Sequence, residues 1–355
     1  MSTRYSVLRM GFAAIAAARA NRWLRPFAQG RGLILMLHHV RPWVPRDFAP
    51  NAILEVTPDF LDKALGIVGR SHDFVALGDI PRRLREPGAR PFAAVTFDDG
   101  YRDNAEFALP VLLRHGVPWT VFVTPGFADR SASLWWLELE EAIRRLDRLD
   151  VEIGEEEPLS LSLPARSAAE KSAAFNQLYW QLRKGPEERL RAVVAMLAER
   201  TGVDGAALVE NLCLDWNDLR ALSRQPGVSI GAHTMTHPML AKHGLEMVRT
   251  EMHMSRVTIE RELGRGVRHF AYPVGDPESA GEREFDGLRR DVVRARADRG
   301  DVTPRARQVD REGHADCARA EDADGRVNGG CGHEKARSER ARRVRGVSRV
   351  MWFNE

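Results

Sequence analysis

Six short apolar runs, most of them separated by amphipathic helical stretches, constrain this chain more than any other feature. They cover residues 33–37, 74–77, 92–97, 119–123, 228–232 and 269–272. Runs without polar alternation suit strands buried on both faces. Strand–helix alternation of this kind builds a parallel sheet with helices packed outside it. In a closed or nearly closed sheet of that type, the C-terminal strand ends face the active site. Four of these ends carry reactive or polar groups: His38, the pair Asp98 and Asp99, His233, and Tyr272 with Pro273. The expected class is therefore α/β, a parallel sheet with helices packed against it.

Local signals agree. Thr57 and Pro58 supply an N-cap and a first helical residue, followed by Phe60, Leu61, Ala64, Leu65 and Val68 on one stripe. A helix over about 104–115 should stop at Gly116 and Pro118, and one over about 246–263 at Gly264. The rhythm breaks over 132–225, which reads as an inserted helical subdomain within one domain of residues 31–285. Its helices are expected over 135–149, 167–183 and 186–200, with an acidic, proline-containing loop among them. Trp135 and Trp136 could stack on sugar rings in a groove or pack inside this insert.

The termini differ from the body. Residues 1–30 are basic and alanine-rich, and read as an amphipathic helix packed on the domain. Two other readings stay open, a helix lying weakly on a membrane surface and an export signal with Ala18-Arg19-Ala20 as its cleavage site. Residues 286–355 hold 17 Lys and Arg against 13 Asp and Glu, so the whole formal excess of +3 sits there and the body is near neutral. This charge gives no reason to expect a nucleic-acid partner for the folded part. The tail has too little apolar surface to offset chain entropy. It reads either as disordered or as a frame-shifted end, since Arg, Ala, Gly and Asp dominate GC-rich DNA read out of frame. No run approaches the roughly 18 apolar residues of a membrane-spanning helix. Three cysteines, Cys213, Cys317 and Cys331, exclude a disulfide scaffold and form no Cys-x-x-Cys pair. A reducing, cytoplasmic setting fits them.

The strand ends carry the chemistry. Asp98 and Asp99 precede Gly100, which permits a sharp turn, so the two carboxylates could serve one site in separate roles. The bland alternative is a surface Asp-Asp-Gly turn. His233 and His237 are four apart, and on one helical turn they would share a face. Two imidazoles and one carboxylate make an open divalent-metal site, with positions left for water and a substrate oxygen. The spare carboxylate could then take a proton from that water.

Together, Thr96-Phe97-Asp98-Asp99-Gly100-Tyr101, His233-Thr234-Met235-Thr236-His237-Pro238 and Phe270-Ala271-Tyr272-Pro273-Val274-Gly275 resemble the three ordered motifs of the polysaccharide deacetylases. These are the nodulation-protein-B-like enzymes of carbohydrate esterase family 4, and the resemblance spans about 32–285. It implies a distorted (β/α) barrel of the polysaccharide deacetylase type that removes N-acetyl groups from an amino-sugar oligo- or polysaccharide, such as a chito-oligosaccharide. It implies Asp98 as general base, and Asp99, His233 and His237 as ligands of a divalent metal: Zn2+, with Co2+, Ni2+ or Mn2+ as alternatives. It implies that Tyr272, Pro273, Val274 and Gly275 line the substrate groove.

The sequence departs from the family pattern in three places. Ala271 stands where the family has an arginine that orients the base, and Arg268 or Arg283 would have to substitute for it. The family's C-terminal Leu-x-His motif is absent. Leu35-Met36-Leu37-His38 is similar to the Leu-x-Tyr-His motif of circularly permuted relatives, which makes His38 the general acid and turns His39 away to pack or solvate. The barrel-closing units after the third motif are missing, so an unpaired parallel edge and lowered stability are expected. A non-catalytic carbohydrate-binding remnant of the fold is the rival reading.

Overall fold

The computed structural model describes residues 30–154, 159–275, 279–280 and 350–352. The expected helix over 1–30 and all but three residues of the tail lie outside the described residues. The strands are β1 Gly32–Leu37, β2 His39–Val40, β3 Glu55–Val56, β4 Asp73–Phe74, β5 Phe92–Phe97, β6 Trp119–Val123, β7 Arg148–Ile153, β8 Leu159–Pro164, β9 Val228–Ala232, β10 His269–Ala271 and β11 Val350–Trp352. The main helices are α1 Pro58–Gly69, α2 Leu109–His115, α3 Trp135–Arg145, α4 Ala168–Lys184, α5 Glu187–Thr201, α6 Gly205–Leu212, α7 Trp216–Ser223 and α8 Leu245–Leu263. Among the described residues no helix is long and apolar enough to cross a membrane.

Strands β1, β5, β6, β9 and β10 run parallel in that order and form a curled, partial (β/α) barrel. β5 pairs with β1 along one edge, from Gly32↔Phe92 to Leu37↔Phe97. Its other edge takes β4 at Phe92 and Ala93, and β6 from Val95 to Phe97. Every residue of β5 and β6 is buried, as expected of strands covered on both faces. α1 starts as its sequence indicates: Pro58 is its first residue and the Thr57 side chain accepts from the Phe60 amide. The segment expected to run as one helix into His115 instead contains a wider π turn, Asn104–Ala108, separated by three residues from the Asp-Asp-Gly turn. Such turns recur at functional sites.

Two expectations are corrected by the fold. The insert is not all helical. α3 stops at Arg145, and β7 and β8 form an antiparallel hairpin with register Arg148↔Pro164 to Ile153↔Leu159. Leu149, Val151 and Ile153 point into the insert core, while Asp150 and Glu152 face solvent. The alternation has a period of two, and the neighbouring acidic residues had masked it. The edge beyond β10 is not open either. β11 pairs with it antiparallel, from Ala271↔Val350 to His269↔Trp352. An antiparallel addition needs no crossover helix, so three residues suffice.

The insert packs as part of the same body. Its core of Leu139, Ile143, Leu178, Val194 and Leu197 is continuous with Tyr101 and Met239, which belong to the loops after β5 and β9. Those two loops carry the site.

Candidate metal centre

The backbone after β5 turns the two carboxylates toward one place. The Asp98 amide still donates to Leu37 O (3.0 Å), so Asp98 continues the ladder between β1 and β5. Asp99 and Gly100 then adopt left-handed conformations, φ +72° and +71°. A non-glycine residue there costs about 1–2 kcal/mol, and Asp tolerates it better than most. The side-chain alternation of the strand is thereby broken, and both Asp98 and Asp99 are buried.

β9 delivers the histidines differently from the expected helical turn. The His233 amide donates to Val123 O (2.9 Å) and extends the ladder. The chain then passes through an irregular loop in which Thr234 and His237 are left-handed, φ +64° and +59°. That loop folds His237 back beside His233, with ring centroids 5.1 Å apart. Asp99 Oδ1 lies 3.2 Å from His237 Nε2 and 3.5 Å from His233 Nε2. Bonds of about 2.0–2.1 Å at tetrahedral angles separate donor atoms by roughly 3.3–3.5 Å. Asp99, His233 and His237 therefore fit a divalent ion.

Their hydrogen bonding supports that fit. His233 Nδ1 donates to Ala271 O (2.9 Å), which leaves Nε2 as a lone pair facing Asp99. Asp99 Oδ1 is buried and makes no hydrogen bond among the described residues. A buried charged oxygen without such a partner is costly unless a cation or proton meets it. Burial alone would raise the Asp99 pKa, but His237 and His233 overcome it and hold the carboxyl well below its ordinary range. Burial also works against a charged His233, yet Asp99 and Asp98 draw its pKa upward. His237 is held below its usual value, chiefly by burial.

Asp98 has the opposite character. Burial raises its pKa, and His233 and His38 offset this only in part. Its Oδ1 is buried and makes no hydrogen bond among the described residues. The largest electrostatic influences on it come from His233, His38, Asp99 and His237, none of them an arginine. Arg268 is exposed, and Arg283 lies outside the described residues. The arginine of the family pattern thus has no counterpart at this carboxylate among those influences.

His38 is half-buried next to both carboxylates, on which its charge acts. Its carbonyl accepts from Asn104 Nδ2 (2.7 Å), which ties it to the π turn. His39 turns away and packs. Its Nδ1 bonds Asp103 Oδ2 at 2.6 Å, and its ring stacks on Tyr101 at 3.6 Å. The third motif divides. Tyr272 lies in the barrel core edge-on to Phe270, and Pro273 and Gly275 are buried, whereas Val274 is exposed with φ +62°. Trp135 packs on Tyr179 within the insert, while Trp136 lies 4.9 Å from the His237 ring.

Sequence reasoning missed what holds the histidine loop. Glu251 of α8 accepts from the Met235 and Thr236 amides (2.7 and 2.9 Å) and from Thr236 Oγ1 (2.8 Å). Glu187 of α5 accepts from the Met239 amide at 2.6 Å. Nothing in the spacing of these residues marks them in the sequence. Gly126 donates its amide to Met235 O at 2.9 Å. A Cβ there would come within 2.6 Å of that oxygen and 2.7 Å of Ala132 Cβ. Gly126→Ala is expected to lower stability by about 1–3 kcal/mol through this overpacking, read as a lower urea midpoint. An unchanged midpoint would mean that the loop moves freely.

Solved structures similar to the chain include the Streptococcus pyogenes deacetylase PplD in complex with acetate (19% identity, TM-score 0.43, covering 72% of this chain and 78% of that one). A de-N-acetylase from Aggregatibacter actinomycetemcomitans (13%, 0.44, 73% and 84%) and IcaB from Ammonifex degensii (16%, 0.41, 74% and 81%) are also similar. No curated protein matches the chain. The polysaccharide deacetylase family model matches residues 85–156 and 176–284, slightly more than half of the chain, and takes in the twin aspartates, both histidines and the third motif. On that match the chain belongs to the polysaccharide deacetylases, hydrolases of amide C–N bonds.

Proposed function

We propose that the protein removes N-acetyl groups from an amino-sugar oligo- or polysaccharide in a metal-assisted hydrolysis. The observation that carries this reading is the convergence of Asp99, His233 and His237, whose ligand atoms lie within 4.8 Å of one another, beside a second buried carboxylate. A divalent cation at such a set supplies polarisation of the amide carbonyl and a water of lowered pKa. Zinc is our first choice, although a two-histidine, one-carboxylate set suits Co2+, Ni2+ and Mn2+ as well.

The chain's own residues supply the proton transfers. Asp98 accepts the proton of the attacking water, and its raised pKa makes it a better base than an exposed carboxylate. His38, on the neighbouring strand end, donates a proton to the departing nitrogen. The new C–O bond forms and the C–N bond breaks, which gives acetate and a free amine. Val274, exposed at the third motif, contributes to the wall of the groove.

The test pairs metal content with turnover. The purified chain should hold about one divalent ion, release acetate from chito-oligosaccharides, lose activity to a chelator and regain it with Zn2+ or Co2+. Bound metal without acetate release, on these and on longer N-acetylated polymers, would favour a non-catalytic carbohydrate binder. Absence of bound metal and of any added-metal effect would remove the reading.

A further inference from the structure

His237 is steered by its loop rather than by its ring. His233 has its Nδ1 fixed by the Ala271 carbonyl, but His237 Nδ1 is buried and makes no hydrogen bond among the described residues. The position of His237 Nε2 therefore follows the backbone of residues 233–243, which contains two left-handed side-chain-bearing residues, Thr234 and His237. L residues adopt that conformation reluctantly, so the loop keeps it only if surrounding contacts impose it.

Part of that imposition comes from the insert. Arg191 Nη2 donates to the carbonyls of Thr236 (3.3 Å) and of His237 itself (3.2 Å). Arg191 is held by Glu187 Oε1, which accepts from Nε at 2.9 Å and Nη2 at 2.7 Å. Glu187 Oε2 accepts from the Met239 amide (2.6 Å) and bonds His243 Nε2 (3.0 Å). One buried carboxylate on α5 thus orients the arginine with one oxygen and grips the far end of the loop with the other. Glu251 holds the middle of the loop from the barrel side. The loop is clamped between two glutamates, one of which belongs to a subdomain that contributes no ligand.

We propose that Glu187 and Arg191 are positioning residues through which the inserted subdomain sets the metal affinity of the site. This rests on the metal reading above. Groups that orient metal ligands from behind typically change affinity by about 10–100-fold when altered. Arg191→Lys keeps the charge but loses the planar fork that spans two carbonyls and Glu187. Glu187→Gln keeps the shape and loses the charge that orients Arg191.

The experiment uses the full chain, stripped of metal and titrated with Zn2+ against a chromophoric chelator, with the Co2+ absorption spectrum as a second readout. Arg200→Lys, on the same helix and bonded to Asp150 O away from the histidine loop, is the control. Arg191→Lys and Glu187→Gln should weaken Zn2+ binding by at least about 10-fold and alter the Co2+ band shape. The metal-free variants should keep the wild-type circular dichroism spectrum, and Arg200→Lys should match wild type. Wild-type affinity and band shape in a folded Arg191→Lys protein would overturn the proposal while leaving the metal reading intact. Arg191 is part-exposed and its replacement conservative, so this variant decides the matter even if Glu187→Gln does not fold. A wild-type chain that binds neither ion overturns both.

Discussion

Asp98→Asn is expected to lower kcat for acetate release by about 10²–10⁴-fold. The amide has nearly the shape of the carboxylate, so metal content and unfolding midpoint should stay close to wild type. The distinction between the twin aspartates makes this a sharp test. Asp99 faces both imidazoles and is held well below the usual carboxylate range, whereas Asp98 is raised by burial. Asp99→Asn should therefore lose metal as well as rate, and Asp98→Asn should lose rate alone. Steady-state kinetics together with elemental analysis separates the two. If Asp98→Asn also released the ion, both carboxylates would be ligands and the base would have to be sought elsewhere.

The second large effect concerns stability. Trp119 is among the largest fully enclosed side chains of the barrel, sits edge-on to Phe97 at 5.0 Å and shares a cluster with Val95 and Val121. Trp119→Ala should cost about 3–5 kcal/mol, the transfer free energy of the ring plus the cavity it leaves. Against a typical total of about 5–15 kcal/mol, that removes a large share of the folding free energy. Urea unfolding should show a lower midpoint with little change in slope. A loss below about 1 kcal/mol would show that the barrel collapses around the gap or that the ring is not enclosed.

Strand positions were legible because β5 and β6 are buried on both faces and carry apolar runs interrupted only by Thr96 and Thr120, which little else explains. The start of α1 was legible because Thr57 and Pro58 act locally. The carboxylates and imidazoles were legible as types at strand ends, and their resemblance to a motif set gave them roles. The route by which His237 returns to His233 was not legible. It depends on left-handed Thr234 and His237, neither a residue that advertises such a conformation, and on Glu251, Glu187 and Arg191 acting across long sequence separations. The hairpin of β7 and β8 was missed for a different reason. Asp150 and Glu152 sit on its solvent face, so acidic residues that mark the outside of a strand read as a loop. The pairing of β11 with β10 could not be foreseen from a stretch whose composition otherwise opposes burial.

The rung between Leu37 and Phe97 has a consequence of its own. It is the last pair of the ladder between β1 and β5, and the next amide, Asp98 N–H, is still bonded to Leu37 O. Consecutive side chains on a strand face opposite ways. One of two adjacent imidazoles therefore borders the carboxylates, and the other is sealed against an aromatic ring. Slippage by a single residue would exchange them. Loss of one codon within β1 would thus be a chemical lesion as well as a packing one, whereas the same loss in the connection after Val40 would leave that choice of imidazole untouched.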